Sequence, residues 1–481
     1  MAKDGYDTID PQRSPSLSRA FSPLSAKDVC EDLIELYFRH IHVSFHFLFH
    51  QPSFLASFRD GSLPEVLFFG AIGLSARFSK HQSFASIPLR ERGTPYTQEA
   101  ERRLNLHSPS IVTIQTCMLL GAAAVSEGDS TTESIYFSIA CRMAMLLDLP
   151  NAHADTCIEQ EINNRVWWTV YASDTWSSTG VRLPRMMPHR DVPLPMSEST
   201  FLQLSPDTPP YPEQQFNASS ATPAQAPHDS LLAHWKFLDQ RLSQIDEVNT
   251  KAVSHELHGF QLLQTVESIS LEMESWASSL PVKMRNTAEN LTYWTKEGFG
   301  HIFVLLHVQY LHFSQLLFYQ FLHRSTDSAG HTSVNFQNAQ KCRQHATDLC
   351  NLIHLARENP LTDPLYSIAG HILTIASTVQ LHILLFSSHA AEVQEARQLL
   401  ERNFEFLTIL RTYWSCLDAS FSRFDAFHRA CLRRQDDSHF QMDRWMLKFM
   451  LEFAEPVNDR AQVEDDEFVA HEEWSLASIG I

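Results

Sequence analysis

The stretch "HIFVLLHVQYLHFSQLLFYQFLHR", from His301 to Arg324, carries apolar residues at three- and four-residue spacing instead of alternating them. That period belongs to a helix with a buried face, not to a half-buried strand. It recurs in segments at roughly 64–80, 95–106, 110–125, 130–148 and 158–178, separated by Pro, Gly or Ser clusters. It returns at roughly 230–248, 255–279, 298–324, 335–357, 365–388, 391–417 and 420–454. No period-two run stands out, and 14 glycines in 481 residues are few for a fold made of tight turns. The fold class expected is all-α: antiparallel packed helices in a multi-helix domain, with a long disordered insert and disordered ends.

The boundaries follow from composition. Residues 1–26 are rich in Ser, Pro, Asp and Arg without periodicity and read as a disordered leader. Residues 27–200 form an N-terminal helical half. Its first helix carries Val29, Leu33, Leu36 and Tyr37 on one stripe, and Pro52 ends or redirects that element. Ser130 and Glu133 fit a capping box before "SIYFSIACRMAMLLDL". The Pro/Ser-rich residues 201–230 cannot bury enough apolar surface to order themselves and read as a loop or linker. A C-terminal helical half spans 231–455. The tail, 456–481, interleaves acids with Phe468, Trp474, Leu476 and Ile479, as a solvated end or an acidic-hydrophobic activation segment would.

Formal net charge is −19, and Lys and Arg cluster only in short pairs, so no phosphate-binding face is visible and direct nucleic-acid binding is not expected. The eight cysteines contain no CxxC pair and read as reduced core thiols of an intracellular protein. No apolar signal core and no uninterrupted apolar run of about 18 residues is present, so no membrane role is expected.

Nucleotide, hydrolase and metal motifs fail on spacing. "GFG" (298–300) lacks the third glycine, "SHELH" (254–258) misses the HExxH interval, and no GxSxG elbow occurs. The better metal candidate is "HVSFHFLFH", where His42, His46 and His50 recur every four residues and would line one helical face. Its aromatic surroundings and the lack of a carboxylate at matching spacing favour histidines packed in a core. No cofactor is expected in this chain, and it is not read as an enzyme. A helical metal-dependent enzyme is the distant alternative.

The most informative stretch is "EINNRVWWTVYASDTWSS" (161–178). On a helix, Glu161, Arg165, Trp168 and Ala172 share one face, while Trp167, Val170, Tyr171 and Asp174 lie on another. A helix apolar on so many sides is buried among neighbours. Glu161 precedes Arg165 by four residues, the favourable order for an ion pair, and the guanidinium could also lie over the Trp168 ring. Asp174 near the helix C-terminus needs a cation or N–H partner, expected in "GVRLPRMMPHRDVPLP", which holds Arg182, Arg185 and Arg190. Glu161 and Asp174 diverge too far for paired catalysis. A structural role is favoured, with Trp168, Tyr171 and Asp174 as ligand-facing candidates.

At these residues the chain resembles the fungal-specific transcription factor regulatory domain, the middle homology region of zinc binuclear cluster activators. The resemblance rests on "YFRHIHVSFHFLFHQPSFL" (37–55), "SPSIVTIQTCMLLGAA" (108–123), "IYFSIACRMAMLLDLP" (135–150), "EINNRVWWTVYASDTWSS" (161–178), "RDVPLP" (190–195) and "YLHFSQLLFYQFLHR" (310–324), covering about 30–455. It implies an all-α regulatory module of a nuclear transcription regulator, with Glu161, Arg165, Trp167, Trp168 and Asp174 matching the core motif and no catalytic residue among them. It also implies protein contacts with the transcription machinery or coregulators, with a homo- or heterodimer and a small-molecule effector as further partners. Two departures stand out. The usual GRP is here "GVRLP" (180–184), and the six-cysteine cluster expected upstream is absent, so either the module was lost or the sequence begins after it. A DNA-binding-deficient cofactor that modulates related activators is the alternative function.

Overall fold

The computed structural model describes residues 27–42, 44, 46–181, 183–190, 192–211, 230–254, 256–322, 334–387 and 389–434. The leader, the acidic-hydrophobic tail, most of the Pro/Ser-rich insert, Arg182 and Arg324 lie outside them. Sixteen α-helices and no strands occur among the described residues. One isolated bridge joins His42 and His46.

The N-terminal helices are α1 (Lys27–His40), α2 (Gln51–Asp60), α3 (Glu65–Ser75), α4 (Thr94–Arg103), α5 (Ile111–Glu127), α6 (Ser130–Leu146), α7 (Cys157–Val181) and the short α8 (Glu198–Leu202). After the insert come α9 (Leu231–Val253), α10 (Gly259–Ser279), α11 (Ala288–Lys296), α12 (Gly300–Phe318), α13 (Val334–Ala356), α14 (Ser367–Phe386), α15 (Ala390–Tyr413) and α16 (Leu417–Arg434). One continuous apolar core runs through both sets. Arg77 helps fasten them. Its guanidinium donates to the Tyr413 carbonyl at 2.8 Å and lies 4.3 Å from the Trp414 ring centroid. A second buried tie is Asn403, which donates to Ser377 at 3.0 Å and meets His354 at 2.8 Å, so α13, α14 and α15 share one satisfied polar knot.

Three local expectations change. Pro52 opens a helix instead of ending one, because proline is tolerated in the first turn, where its missing N–H is not needed. The cap of α6 is Asp129, whose carboxylate accepts from Thr132 N–H at 2.9 Å, and Ser130 is the first helical residue. Short α2, α8 and α11 were not anticipated. Gly121 lies where α5 and α6 pack closely; a Cβ there would run into the Phe137 ring.

Two helices, residues 300–321 and 367–386, are long and apolar enough by composition to span a bilayer. Most of each is buried inside the protein, the condition of a core helix.

Helix α7 is held to the segment after it by two buried carboxylates. Asp174 accepts hydrogen bonds from the backbone N–H of Met186 at 3.0 Å and of Met187 at 2.8 Å, with the Arg185 guanidinium nitrogen 3.9 Å away. The returning chain is thereby turned against the helix end. Toward the other end of the helix, Arg165 donates to Glu161 at 2.6 Å and to the Met196 carbonyl at 2.8 Å, and Met196 N–H donates back to Glu161 at 3.0 Å. The guanidinium covers Phe201, 4.2 Å from its centroid, and not Trp168 as its spacing suggested. Ser230, which caps α9, donates to the Pro195 carbonyl at 3.0 Å, so the same strap sets where α9 starts.

Replacing Arg165 with Met leaves Glu161 and Glu198 buried without their cation and should cost about 3–5 kcal/mol. Asp174→Ala orphans two backbone N–H groups and should cost about 2 kcal/mol or more. Chemical denaturation of the two variants checks both values, and Asp174→Asn, which keeps an acceptor, should fall between wild type and alanine.

Burial also decides the response to acid. It holds His46 and His371 down at about 3, and His301, His307, His345 and His354 at about 4. The unfolded chain protonates these rings near 6.5, so it binds more protons than the folded chain between about pH 4 and 6.5. Stability therefore falls as pH drops through that window. Buried Glu198, raised to about 7, works the opposite way, but the depressed histidines outnumber the raised acids. The melting temperature should fall steadily from pH 7 to pH 5, and a flat profile would contradict this ordering.

Candidate functional site

Helix α7 is buried almost all round, yet Trp168, Ala172, Ser173 and Trp176 keep partial exposure along one stripe. Those residues face a cavity of about 390 Å³, within the range of small-molecule sites. Its walls come from both sides of the insert. From the N-terminal side, α5 supplies Met118, Ala122 and Val125, and α6 supplies Glu133 and Phe137. From the other side, α9 supplies Leu232, Trp235, Lys236 and Asp239; α12 supplies Leu305, Val308 and Gln309; α14 and α16 add Ile368, His371, Ser420 and Arg423. The lining is mostly apolar, with a few charged groups set among three indoles.

The loop over one side, residues 41–50, is held by Phe47 N–H donating to Thr169 Oγ1 at 3.0 Å and Gln115 Nε2 donating to the Leu48 carbonyl at 2.8 Å. This is the histidine-rich stretch; none of its described residues is helical, so His42, His46 and His50 do not share a helix face. His46 Nε2 lies 2.7 Å from Tyr37 Oη, His42 Nε2 accepts from Phe49 N–H at 3.1 Å, and His50 Nδ1 lies 2.7 Å from Ser53 Oγ. Each ring uses a nitrogen on a local partner. Among the described residues no three His, Cys, Asp or Glu side chains converge as a metal would require.

Trp168 stands on the cavity wall. Its indole N–H donates to the Pro193 carbonyl at 2.8 Å, and the Lys236 ammonium sits 3.7 Å from its ring centroid. Arg165 also borders the cavity while bound to Glu161. Trp167 is fully buried on the opposite face, and Glu161 is engaged by Arg165 and Met196. Tyr171 and Asp174, proposed from sequence as ligand-facing, are not on the wall: Tyr171 lies beneath the Arg185 guanidinium, 4.5 Å from its ring centroid, and Asp174 is consumed by the strap. The reason is angular: at about 100° per residue, 171 and 174 lie more than a third of a turn from the centre of the stripe formed by 168, 172, 173 and 176.

Sequence reasoning missed Lys236, Asp239, Gln309, His371 and Arg423. A signal existed in α9. Leu232, Trp235, Lys236 and Asp239 follow the i, i+3, i+4, i+7 pattern, so two charged residues lie on an otherwise apolar stripe. Asp239 accepts from Gln309 Nε2 at 2.8 Å, and burial pushes its carboxyl up to about 7 although Gln309, Trp176, Arg185 and Trp235 oppose the shift. Burial also lifts Glu133 to about 7, against a hydrogen bond from Ser177. Cys416, at the start of the α16 wall, is raised to about 12 by burial and is held as a thiol, which is a poor nucleophile.

This arrangement offers shape, aromatic surface and charge. Comparison with known proteins places the chain. Residues 34–278 match the model of the fungal specific transcription factor domain. The chain is 23% identical over 434 residues to the Zn(2)-C6 fungal-type transcription factor FTF1c of Fusarium oxysporum f. sp. lycopersici, covering 81% of this chain and 44% of that protein. It is 24% identical over 308 residues to Activator of stress genes 1 of Saccharomyces cerevisiae, covering 61% and 30% respectively. An uncharacterized transcriptional regulatory protein of Schizosaccharomyces pombe is 31% identical over 180 residues, covering 35% and 26%. The chain thus spans less than half the length of these relatives. With the matched model covering half of its residues, from α1 through most of α10, the chain belongs to the fungal specific transcription factor domain family.

Proposed function

We propose that this chain is the regulatory part of a nuclear transcription regulator of the zinc-cluster class, acting through protein contacts and through occupation of its central cavity by a small molecule. Family membership and relatives named as transcription factors support the regulatory role. The observation that carries the sensing role is the cavity, walled by helices from before and after the insert. A molecule bound there touches both helical sets at once and so biases how they sit together, which is the differential contact a regulatory ligand requires. Catalysis is no part of this reading. Transcription machinery, coregulators or a second regulator subunit are the partners that the family suggests.

Fusing the chain to a foreign DNA-binding domain should change transcription of a reporter, and an inert fusion across growth conditions would count against the regulatory role. Ala172→Phe in that fusion places a ring in the cavity from the α7 wall. It should leave the melting temperature within a few degrees while shifting reporter output by about fivefold or more. Unaltered output from a folded variant would remove the cavity from the account.

A further inference from the structure

We propose that the cavity takes an uncharged aromatic molecule, its rings lying against Trp168, Trp176 and Trp235. This rests on reading the cavity as an effector site and adds the chemical class of the effector.

Ring surface is what the walls leave uncovered. Trp168, Trp176, Trp235 and Phe47 all border the cavity and all keep partial exposure. Their ring planes are held by neighbours. Trp176 lies parallel to the His312 ring, 6° apart with centroids at 6.2 Å, and Trp235 meets Phe47 edge to face with centroids at 5.7 Å. Trp168 is held through its N–H bond to the Pro193 carbonyl at 2.8 Å. Rings so fixed lose little freedom on meeting a ligand. A flat aromatic partner also gains ring contacts beyond the area that any apolar group would bury.

The charged groups of the wall are already engaged inside the protein. Arg165 donates to Glu161 at 2.6 Å and to the Met196 carbonyl at 2.8 Å, Asp239 accepts from Gln309 at 2.8 Å, and the Lys236 ammonium lies 3.7 Å from the Trp168 ring centroid. Lys236, His371 and Arg423 each have further partners within the protein. Burial, moreover, acts on both signs of charge: it raises Glu133 and Asp239 to about 7 and lowers His371 to about 3. A field of one sign would move acids and bases the same way, so opposite shifts mark a place poor in water, not one that selects an anion or a cation.

A charged ligand must therefore give up its hydration and compete with the partners that the wall charges already have. An uncharged one leaves those contacts in place and covers the rings, as apolar cavities do when they take up aromatic molecules. The volume, about 390 Å³, suits a small organic molecule.

Calorimetric titration of the full chain at pH 7 with naphthylacetamide, naphthylacetate and naphthylethylamine compares one aromatic body with three charges, and decahydronaphthylacetamide replaces that body with its saturated form. Naphthylacetamide should bind at least about tenfold more tightly than the acid or the amine. It should bind about fivefold or more above the saturated amide. Trp235→Leu should weaken it, Trp235→Phe should keep most of the affinity, and Lys236→Met should leave it nearly unchanged. An acid or amine that binds as tightly as the amide, or an amide affinity lost in a Lys236→Met variant of unaltered melting temperature, overturns the uncharged class. Equal affinities for the naphthyl and saturated amides, or a Trp235→Leu variant without effect, overturns the aromatic one. All of these leave the cavity as an effector site. Binding of none of the four, or binding unchanged in Ala172→Phe, counts against the effector-site reading itself and takes this inference with it.

Discussion

The architecture depends on the burial of Arg165. A guanidinium taken out of water is costly unless its hydrogen bonds are met and its charge is opposed. Here Glu161 opposes the charge, the Met196 carbonyl takes a second donor, and Phe201 covers the face of the group. Two of those three partners lie beyond the end of α7, so satisfying Arg165 requires the chain to come back along the helix. Asp174 makes the same demand at the other end through Met186 and Met187. Together they convert a stretch with little regular structure into a strap of defined path, and Ser230 hands that path on to α9.

The cavity is a consequence of this fastening. With one side of α7 committed to the strap and Trp167 packed into the core, the Trp168–Trp176 stripe meets α9, α12 and α14 across a gap that their side chains do not close. Close packing is the rule in protein interiors, and a void of this size forfeits contact energy along its whole wall. Filling it with a larger residue at position 172 or 173 would be a simple route to greater stability. The small residues Ala172 and Ser173 leave the gap open.

The all-α class, the long helices and the divergence of the two α7 faces were legible in the sequence because each rests on many residues repeating one period. The ion pair of Glu161 and Arg165 was legible because its spacing is local. Asp174 was legible in its need for a partner and in the segment that supplies N–H groups, but not in its distance from the cavity. The short α2, α8 and α11 escaped, although α4, no longer than α2, did not. The histidine stretch misled in a different way: a repeat of four implies a shared face only where the backbone is helical, and the described residues among 41–50 are not. What stayed out of reach was which helices face one another. Lys236 and Trp168 are far apart in the chain, and nothing local reports that an ammonium will settle over that indole.

If the cavity takes an effector as proposed, its occupation and the integrity of the fold become linked quantities. A ligand that binds only the folded chain stabilises it by RT ln(1 + [L]/Kd), about 2.7 kcal/mol at a hundredfold excess over Kd. The elements that gain are those lining the void. Helix α16 is one of them, and its first turn is fixed to α5 where Cys416 N–H donates to the Ser126 carbonyl at 3.0 Å, beside the left-handed Gly128 that ends that helix. Gly128 has no side chain to hold Cys416 away, so the junction is close. An occupant of the cavity would touch α16 and α5, which this junction joins, and α7 and α9, which the strap joins, so it would stabilise elements already tied in pairs and not a local patch.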